Sequence, residues 1–502
     1  MTPLLKCSRA WRPFLQSSRC WTGVRATRPI SLSVPASAAA ASAPRHLAAS
    51  RRAISSGAGH GGGVRQDKLP LKVKPERLME TLHETCAWGT GKRWGKADTE
   101  TGMSRLTLSD ADKEARDWFV ETVGGLGCRV TVDAIGNVFA VRPGRSDGPA
   151  TFAGSHLDTQ PTGGRYDGIL GIMAGVEMLR VLHENNVETE FPVGVVNWTN
   201  EEGARFPYSM MGSGVWAEAL SLEKAYDLRS VTGDNATLKS ELERIGYRGQ
   251  VPASYRSMPM GAHFELHIEQ GPILEAEKRK IGVVQGVQAY KWFTIEVEGR
   301  VNRSDALLLA SKLIVHGSRV ATKHSALVST GILTLSPGST NTIPGNVRFS
   351  LDIRAPRNET VEEVEARLRQ DFAALASGTE DIGGLHEGGT VGKSEFSVSW
   401  RTDSATTATV FHEDCIRCVR EAAEDVLGAD GRLVRDVVSG AGHDSVYASR
   451  VCPTTMIFVP CRDGVSHNPA EYTAPEDCAV GAEVLMHSVL KYDGLRGKGL
   501  VG

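Results

Sequence analysis

Two spacings of apolar residues organise this chain, and they separate strands from helices before any chemistry is considered. Short apolar runs bounded by Gly, Pro, Asn or Asp read as strands; apolar residues three or four apart read as helices. The first helix spans Pro75 to Trp88. Ser109 caps a second, running to about Val123, with Asp110, Asp112 and Glu114 in the turn where the helix dipole favours acids. Strands follow at Arg129 to Asp133, Asn137 to Val141 and Ala150 to Ala153, then a helix on Ile169, Ile172, Met173, Val176 and Leu179. Phe191 to Trp198, Ala262 to Ile268 and Ile281 to Val287 read as further strands. Strands alternating with helices predict an α/β core, a mixed sheet flanked by helices.

From Trp292 the pattern changes. A strand (Phe293 to Val297), a helix (Asp305 to Val315), two strands (Ala326 to Leu335, Val347 to Ile353), a helix (Val361 to Leu375) and a strand (Phe396 to Trp400) make an α+β module. The first pattern then returns: a helix from Thr407 to Val426, strands Leu433 to Val438 and Thr454 to Val459, and a helix from Pro475 to about Leu490. The expected division is a leader and linker over 1–66, a core domain over 67–290 and 403–502, and an inserted module over 291–402.

Composition changes the picture mainly at the start. No Asp or Glu precedes Asp67, while Arg9, Arg12, Arg19, Arg25, Arg28, Arg45, Arg51 and Arg52 are scattered among Ser, Ala and Pro. That is the composition of a mitochondrial transit peptide, with a cytoplasmic protein as the alternative. Gly57 to Gly63 reads as a flexible linker. The 502 residues carry a formal net charge of −2, which gives no reason to expect nucleic acid or an anionic membrane as partner. No apolar run is long enough to span a bilayer. The nine Cys form no paired framework, which suits a reducing compartment, and Cys415-x-x-Cys418 reads as structural.

The candidate chemistry sits where apolar strands end. Gly154-Ser155-His156-Leu157-Asp158-Thr159 leads into Gly164-Arg165-Tyr166-Asp167-Gly168 and a helix. Asp158, two residues after His156, can hold the imidazole through its other nitrogen. The strand ending at Trp198 delivers Asn200-Glu201-Glu202-Gly203-Ala204-Arg205-Phe206, and the next delivers His267-Ile268-Glu269-Gln270-Gly271. Adjacent carboxylates at a strand end need a cationic partner, and strand alternation would let one ligate while the other faces substrate. Ser439-Gly440-Ala441-Gly442-His443-Asp444 and Ser466-His467 complete the series. His156, Asp167, Glu202, His267 and His467 form a five-donor N/O set suited to two divalent ions bridged by Asp167. Zinc comes first, with manganese, cobalt or nickel possible. Glu201 is then the candidate general base.

With these motifs and Thr101-Gly102-Met103-Ser104-Arg105-Leu106, the chain from Pro70 onward resembles the amidase/hydantoinase/carbamoylase branch of the aminoacylase/carboxypeptidase co-catalytic metallopeptidase superfamily. The branch includes yeast-type β-ureidopropionases, N-carbamoyl-L-amino acid hydrolases and allantoate amidohydrolases. The resemblance implies a zinc-peptidase-like catalytic domain with an inserted lid and dimerisation domain, the five metal ligands above, and Glu201 as catalytic base beside Asp158. It implies that Asn341, in Asn-Thr-Ile-Pro, and Arg354, in Asp-Ile-Arg, hold a substrate carboxylate, with Gln270 and Gly442 also at the substrate. It implies hydrolysis of an N-carbamoyl amino acid by a homodimer. Allantoate hydrolysis, a peptidase or aminoacylase, and a catalytically impaired relative are the alternatives. One departure stands out: the branch has an Ala-His-Ala-Gly-Thr-Thr-Pro type of loop after the strand that ends near Gly299-Arg300. Here the chain passes through Val301-Asn302 directly to Arg303-Ser304-Asp305.

Overall fold

The computed structural model describes residues 71–300, 304–378, 395–429 and 431–501. The proposed leader and the junction at 301–303 lie outside the described residues. A nine-stranded sheet forms the larger part. At its centre Ala150–His156 runs parallel to both Val193–Trp198 and Met260–Ile268, and Thr454–Val459 runs parallel to Met260–Ile268 on the far side. Antiparallel neighbours flank these strands, Val138–Arg142 on one side and Ile281–Val287 on the other. The central strands read as continuous apolar runs because both of their faces are covered. Ala150–His156, Val193–Trp198 and Thr454–Val459 are buried at every position.

The helix Ile169–Glu184 lies against the sheet beside the closing helix Pro475–Gly497. It is buried almost all round from Ile169 to Leu182, because the sheet covers one side, the closing helix packs beside it on the same sheet, and Pro75–Thr85 packs on both helices. The other face of the sheet packs on a cluster containing Phe152, Trp198, Trp216 and Ala448. Ser109 Oγ accepts the amide of Asp112, 3.2 Å away, and starts the helix Asp110–Gly125 as its sequence predicts. Short helices at Met211–Trp216, Leu222–Tyr226 and Leu238–Ile245 have no counterpart in the sequence reading; the first two are too short to show a helical period.

The smaller sheet is antiparallel throughout and has its own core. Ala289–Gly299 pairs with Asn346–Ala355 on one side and Phe396–Thr406 on the other. The helices Ala306–Lys323 and Asn358–Ser377 cover one face. The sheet spans Ala289 to Thr406, wider than the expected 291–402, because the ladder continues to Ala289↔Ala355 and Thr406↔Tyr290. The strand expected over Ala326 to Leu335 is two pieces, Leu327–Ser329 and Leu333–Ser336, interrupted at Gly331. The helix expected from Thr407 starts at Glu413, because Thr409–Val410 pairs with the larger sheet first.

Candidate active site

Four strand ends of the larger sheet carry the chemistry. His156 is the last residue of its strand, and its Nδ1 lies 2.9 Å from the main-chain oxygen of Asp158. This corrects the expectation for Asp158: its main chain, not its carboxylate, steadies the imidazole. The carboxylate accepts instead the amides of Glu201 and Glu202, both at 3.3 Å. Those two Glu do not alternate across a strand, since the strand ends at Trp198 and Asn200 turns the chain with φ 57°. Gly203, at φ 65°, completes that turn.

Asp167 stands at the centre. Its Oδ1 lies 3.1 Å from His267 Nε2 and 3.5 Å from His156 Nε2. Its Oδ2 lies 3.4 Å from His467 Nε2, which is itself 3.3 Å from Glu202 Oε2. The five residues therefore form two triads sharing Asp167: His156, Asp167 and His267, and Asp167, Glu202 and His467. Gly168 makes the packing possible, because a Cβ there would lie 2.3 Å from the His156 ring. A tetrahedral ion about 2.1 Å from N and O donors sets neighbouring donors roughly 3.4 Å apart. The observed 3.1–3.5 Å separations around Asp167 match that spacing, and the donor set holds no thiolate. The residues present fit two divalent ions with a bridging carboxylate.

Electrostatics lead to the same conclusion. Burial pushes the Glu201 carboxyl well above its ordinary range, and Glu202 is pushed up to about 7 by burial and then by Asp167. Burial also works to raise Asp167, but the imidazoles beside it, His267 first, hold it well below the carboxylate range. Glu201 Oε2 stands 3.6 Å from His156 Nε2. So many buried carboxylates at one point cost free energy unless cations compensate.

A cavity of about 260 Å³ opens on this cluster, lined by Asp167, Glu201, Glu202, Gln270, Gly442, His467 and Arg354, with Tyr290 and Trp292 on the smaller sheet. Gln270 donates to Asp167 Oδ2 at 2.6 Å and so braces the bridging carboxylate. Asn341 is not at this cavity. It is exposed, and its carboxamide oxygen accepts from Ser339 Oγ within its own loop. That loop precedes Asn346, at the opposite end of the strand from Arg354. Eight residues of strand separate the two ends, about 27 Å at 3.4 Å per residue.

Three groups at the site escaped the sequence reading. Glu471 accepts the amides of Tyr166 and Asp167 at 2.9 and 3.0 Å and fixes the loop beneath the bridge. Its signal was faint, an acid four residues after His467. Gln160 holds Glu202 through Nε2 at 2.7 Å. His443, buried and kept neutral mainly by desolvation, packs edge-on against His267 at 4.4 Å and lines the cavity. It follows Gly442 directly, so the motif that placed Gly442 could have placed it too. Backbone strain gathers here: Asn200, Met210, Gln270 and His467 all hold positive φ.

A family model described as peptidase family M20/M25/M40 matches residues 152–491. The N-carbamoyl-L-amino-acid amidohydrolase of Rhizobium meliloti is 38% identical, over 84% of this chain and 97% of its own length. A ureidoglycolate hydrolase of Oryza sativa subsp. japonica is 29% identical, over 85% and 86%. The crystal structure of an amidase of the hydantoinase/carbamoylase family from Burkholderia multivorans superposes with a TM-score of 0.75 at 40% identity, covering 84% of this chain and 98% of that one.

Proposed function

The chain belongs to peptidase family M20/M25/M40 and is an amidohydrolase, and from that premise we propose that it cleaves the ureido C–N bond of an N-carbamoyl amino acid. One observation carries the reading: a single cavity is lined by the Asp167-centred cluster, by Glu201 and by Arg354. A molecule with a ureido group at one end and a carboxylate at the other fits those two poles.

His156, Asp167 and His267 would hold one divalent ion and Asp167, Glu202 and His467 the other, zinc foremost, with manganese, cobalt or nickel also suited. Bound there, the ions supply Lewis-acid polarisation of the ureido carbonyl and lower the pKa of water. Glu201 takes the proton of the attacking water and passes it to the departing amino nitrogen. Asp158 fixes Glu201 and Glu202 through their amides. Arg354 clasps the substrate carboxylate with paired N–H groups, and His443 and Gly442 close the wall beside the scissile group. With one water consumed, the products are the amino acid, carbon dioxide and ammonia.

N-carbamoyl-β-alanine or an N-carbamoyl-L-amino acid is the first choice of substrate. Allantoate is the second, favoured by the likeness to a ureidoglycolate hydrolase. Asn341 stands too far from Arg354 to share a substrate with it in one chain, so we assign it to the site of a second copy in a homodimer. The test is ammonia release from these substrates before and after chelation. Activity should vanish on chelation and return with added metal. Full activity in a preparation shown by elemental analysis to be metal-free would end the reading.

A further inference from the structure

Arg354 does not stand alone in the cavity wall. Asp352 lies two residues earlier on the same strand and on the same open face, since Leu351 and Ile353 between and beside them are buried in the opposite direction. Nε and Nη2 of Arg354 both meet Asp352 Oδ2, at 2.9 and 2.8 Å. Nη1 donates to the carbonyl oxygen of Gly440 at 2.7 Å, in the loop that carries Gly442 and His443. A guanidinium has five N–H bonds. These contacts take one on each nitrogen and leave one on each terminal nitrogen to offer a carboxylate.

The other oxygen of Asp352 is buried and has no hydrogen-bond partner among the described residues. The carboxylate thus spends its burial on Arg354. Arg354 lines both the 260 Å³ cavity and a second one of about 580 Å³, whereas Asp352 lines only the second. Asp352 therefore supports the guanidinium from behind, away from the Asp167-centred cluster.

We propose that Asp352 is the positioning residue of the carboxylate anchor, fixing Arg354 so that its free edge faces the substrate. The inference rests on the N-carbamoyl amino acid reading of the same site. An unsupported Arg side chain must be ordered anew at each binding event, and pinning it beforehand removes that cost. Charge makes the opposite demand. Asp352 cancels much of the positive charge of Arg354 and repels a carboxylate. If Arg354 served mainly as a charge, removing Asp352 would tighten binding; if it serves as an aimed clasp, removing Asp352 weakens binding.

The sign of the KM change therefore decides. Asp352→Ala, Asp352→Asn and Arg354→Ala are compared with the unmodified metal-loaded chain on whichever N-carbamoyl acid it turns over. Asp352→Ala should raise KM about tenfold and leave kcat within about threefold, the mark of lost ground-state binding. Asp352→Asn, whose amide oxygen can still accept from Nε and Nη2, should recover part of the loss, and Arg354→Ala should lose most. An unchanged or lower KM in Asp352→Ala, with Arg354→Ala impaired, overturns this inference alone. So does a fall in kcat without a rise in KM. No effect of Arg354→Ala, or no turnover of any N-carbamoyl acid by the unmodified chain, overturns the functional reading and this inference together.

Discussion

The strands of the larger sheet that carry His156 and His267 run parallel and are buried on both faces. The strand of the smaller sheet that carries Arg354 alternates buried and half-exposed residues. In the first, a side chain can meet ligand only beyond the strand end, so four loops converge and the cluster around Asp167 is built within one chain. In the second, ligand can be met anywhere along the open face or at either end. Arg354 stands at one end and Asn341 beyond the other. The cluster proposed for the chemistry is thus complete in a single copy, while the two residues proposed for recognition are separated by about 27 Å of strand at 3.4 Å per residue.

The largest effect should come from the chemical half. Glu201→Gln keeps both triads but cannot accept the water proton, and kcat should fall by roughly 10²–10⁴-fold. Metal content, read by elemental analysis, should stay unchanged. Glu202→Gln should instead lower metal content. The reverse pattern would exchange the roles assigned to the two Glu.

Next comes the gap after Arg300. Arg300 lies at the same end of the smaller sheet as the Asn341 loop, since Gly299 N donates to Gly345 O at 2.8 Å. A loop inserted there would project from the recognition half, where a second copy would meet it. By the family resemblance the His of such a loop would donate to the scissile carbonyl, so adding the Ala-His-Ala-Gly-Thr-Thr-Pro type of loop should restore that donor, and such donors are worth about 10²–10³ in rate. The expected result is a higher kcat with KM little changed, since that contact strengthens in the transition state. Equal kcat values, with the inserted His shown to be ordered at the site, would reject the idea.

A smaller effect separates the two ends of the strand. Asn341→Ala should raise KM by about tenfold, the loss of a hydrogen bond to a charged group. Mixing it with Glu201→Gln should restore the KM of the unmodified chain, because a hybrid dimer has one site with Glu201 intact and Asn341 supplied by the other copy. A mixture no better than its components would place Asn341 in its own site after all.

The same contrast explains what the sequence disclosed. Buried parallel strands leave apolar runs that stop abruptly, so His156, His267 and the Glu201–Glu202 pair could be placed at one sheet edge from pattern alone. What pattern could not show was the turn at Asn200, where a positive φ replaces strand alternation, or that Asp158 holds that turn and not the imidazole side-on. Glu471 and Gln160 act through hydrogen bonds to loops distant in sequence, which no periodicity records. In the smaller sheet, alternation marks Arg354 only as a residue on the open face, and it is the family resemblance that singles it out. The resemblance also pairs Asn341 with Arg354 at one substrate carboxylate, and the thirteen positions between them conceal that most of a strand separates the two.

A difference of another kind, in stability and not in turnover, concerns how the two cores respond to acid. His263, in the larger sheet, is fully buried between Trp198 and Ser445, and burial lowers its pKa to about 3. Its ordinary value is 6.5, so between these pH values the unfolded chain binds a proton that the folded chain refuses. Stability from this group is complete above pH 6.5 and is lost as pH falls through that window. Between pH 7 and pH 5 the loss is about 2 kcal/mol. Asp371, in the smaller core, behaves otherwise. Burial works to raise its pKa, but hydrogen bonds from Arg367 and His316 hold it below its ordinary 3.8. Its contribution is complete above 3.8 and is lost only below it. Urea unfolding of the unmodified chain against His263→Gln, at pH 7 and pH 5, isolates the imidazole. The stability difference from His263→Gln should change by about 2 kcal/mol between the two pH values. A constant His263 difference would mean that the imidazole is solvated or protonated in the folded chain, and that the larger core is less dry beneath the Asp167-centred cluster than its burial implies.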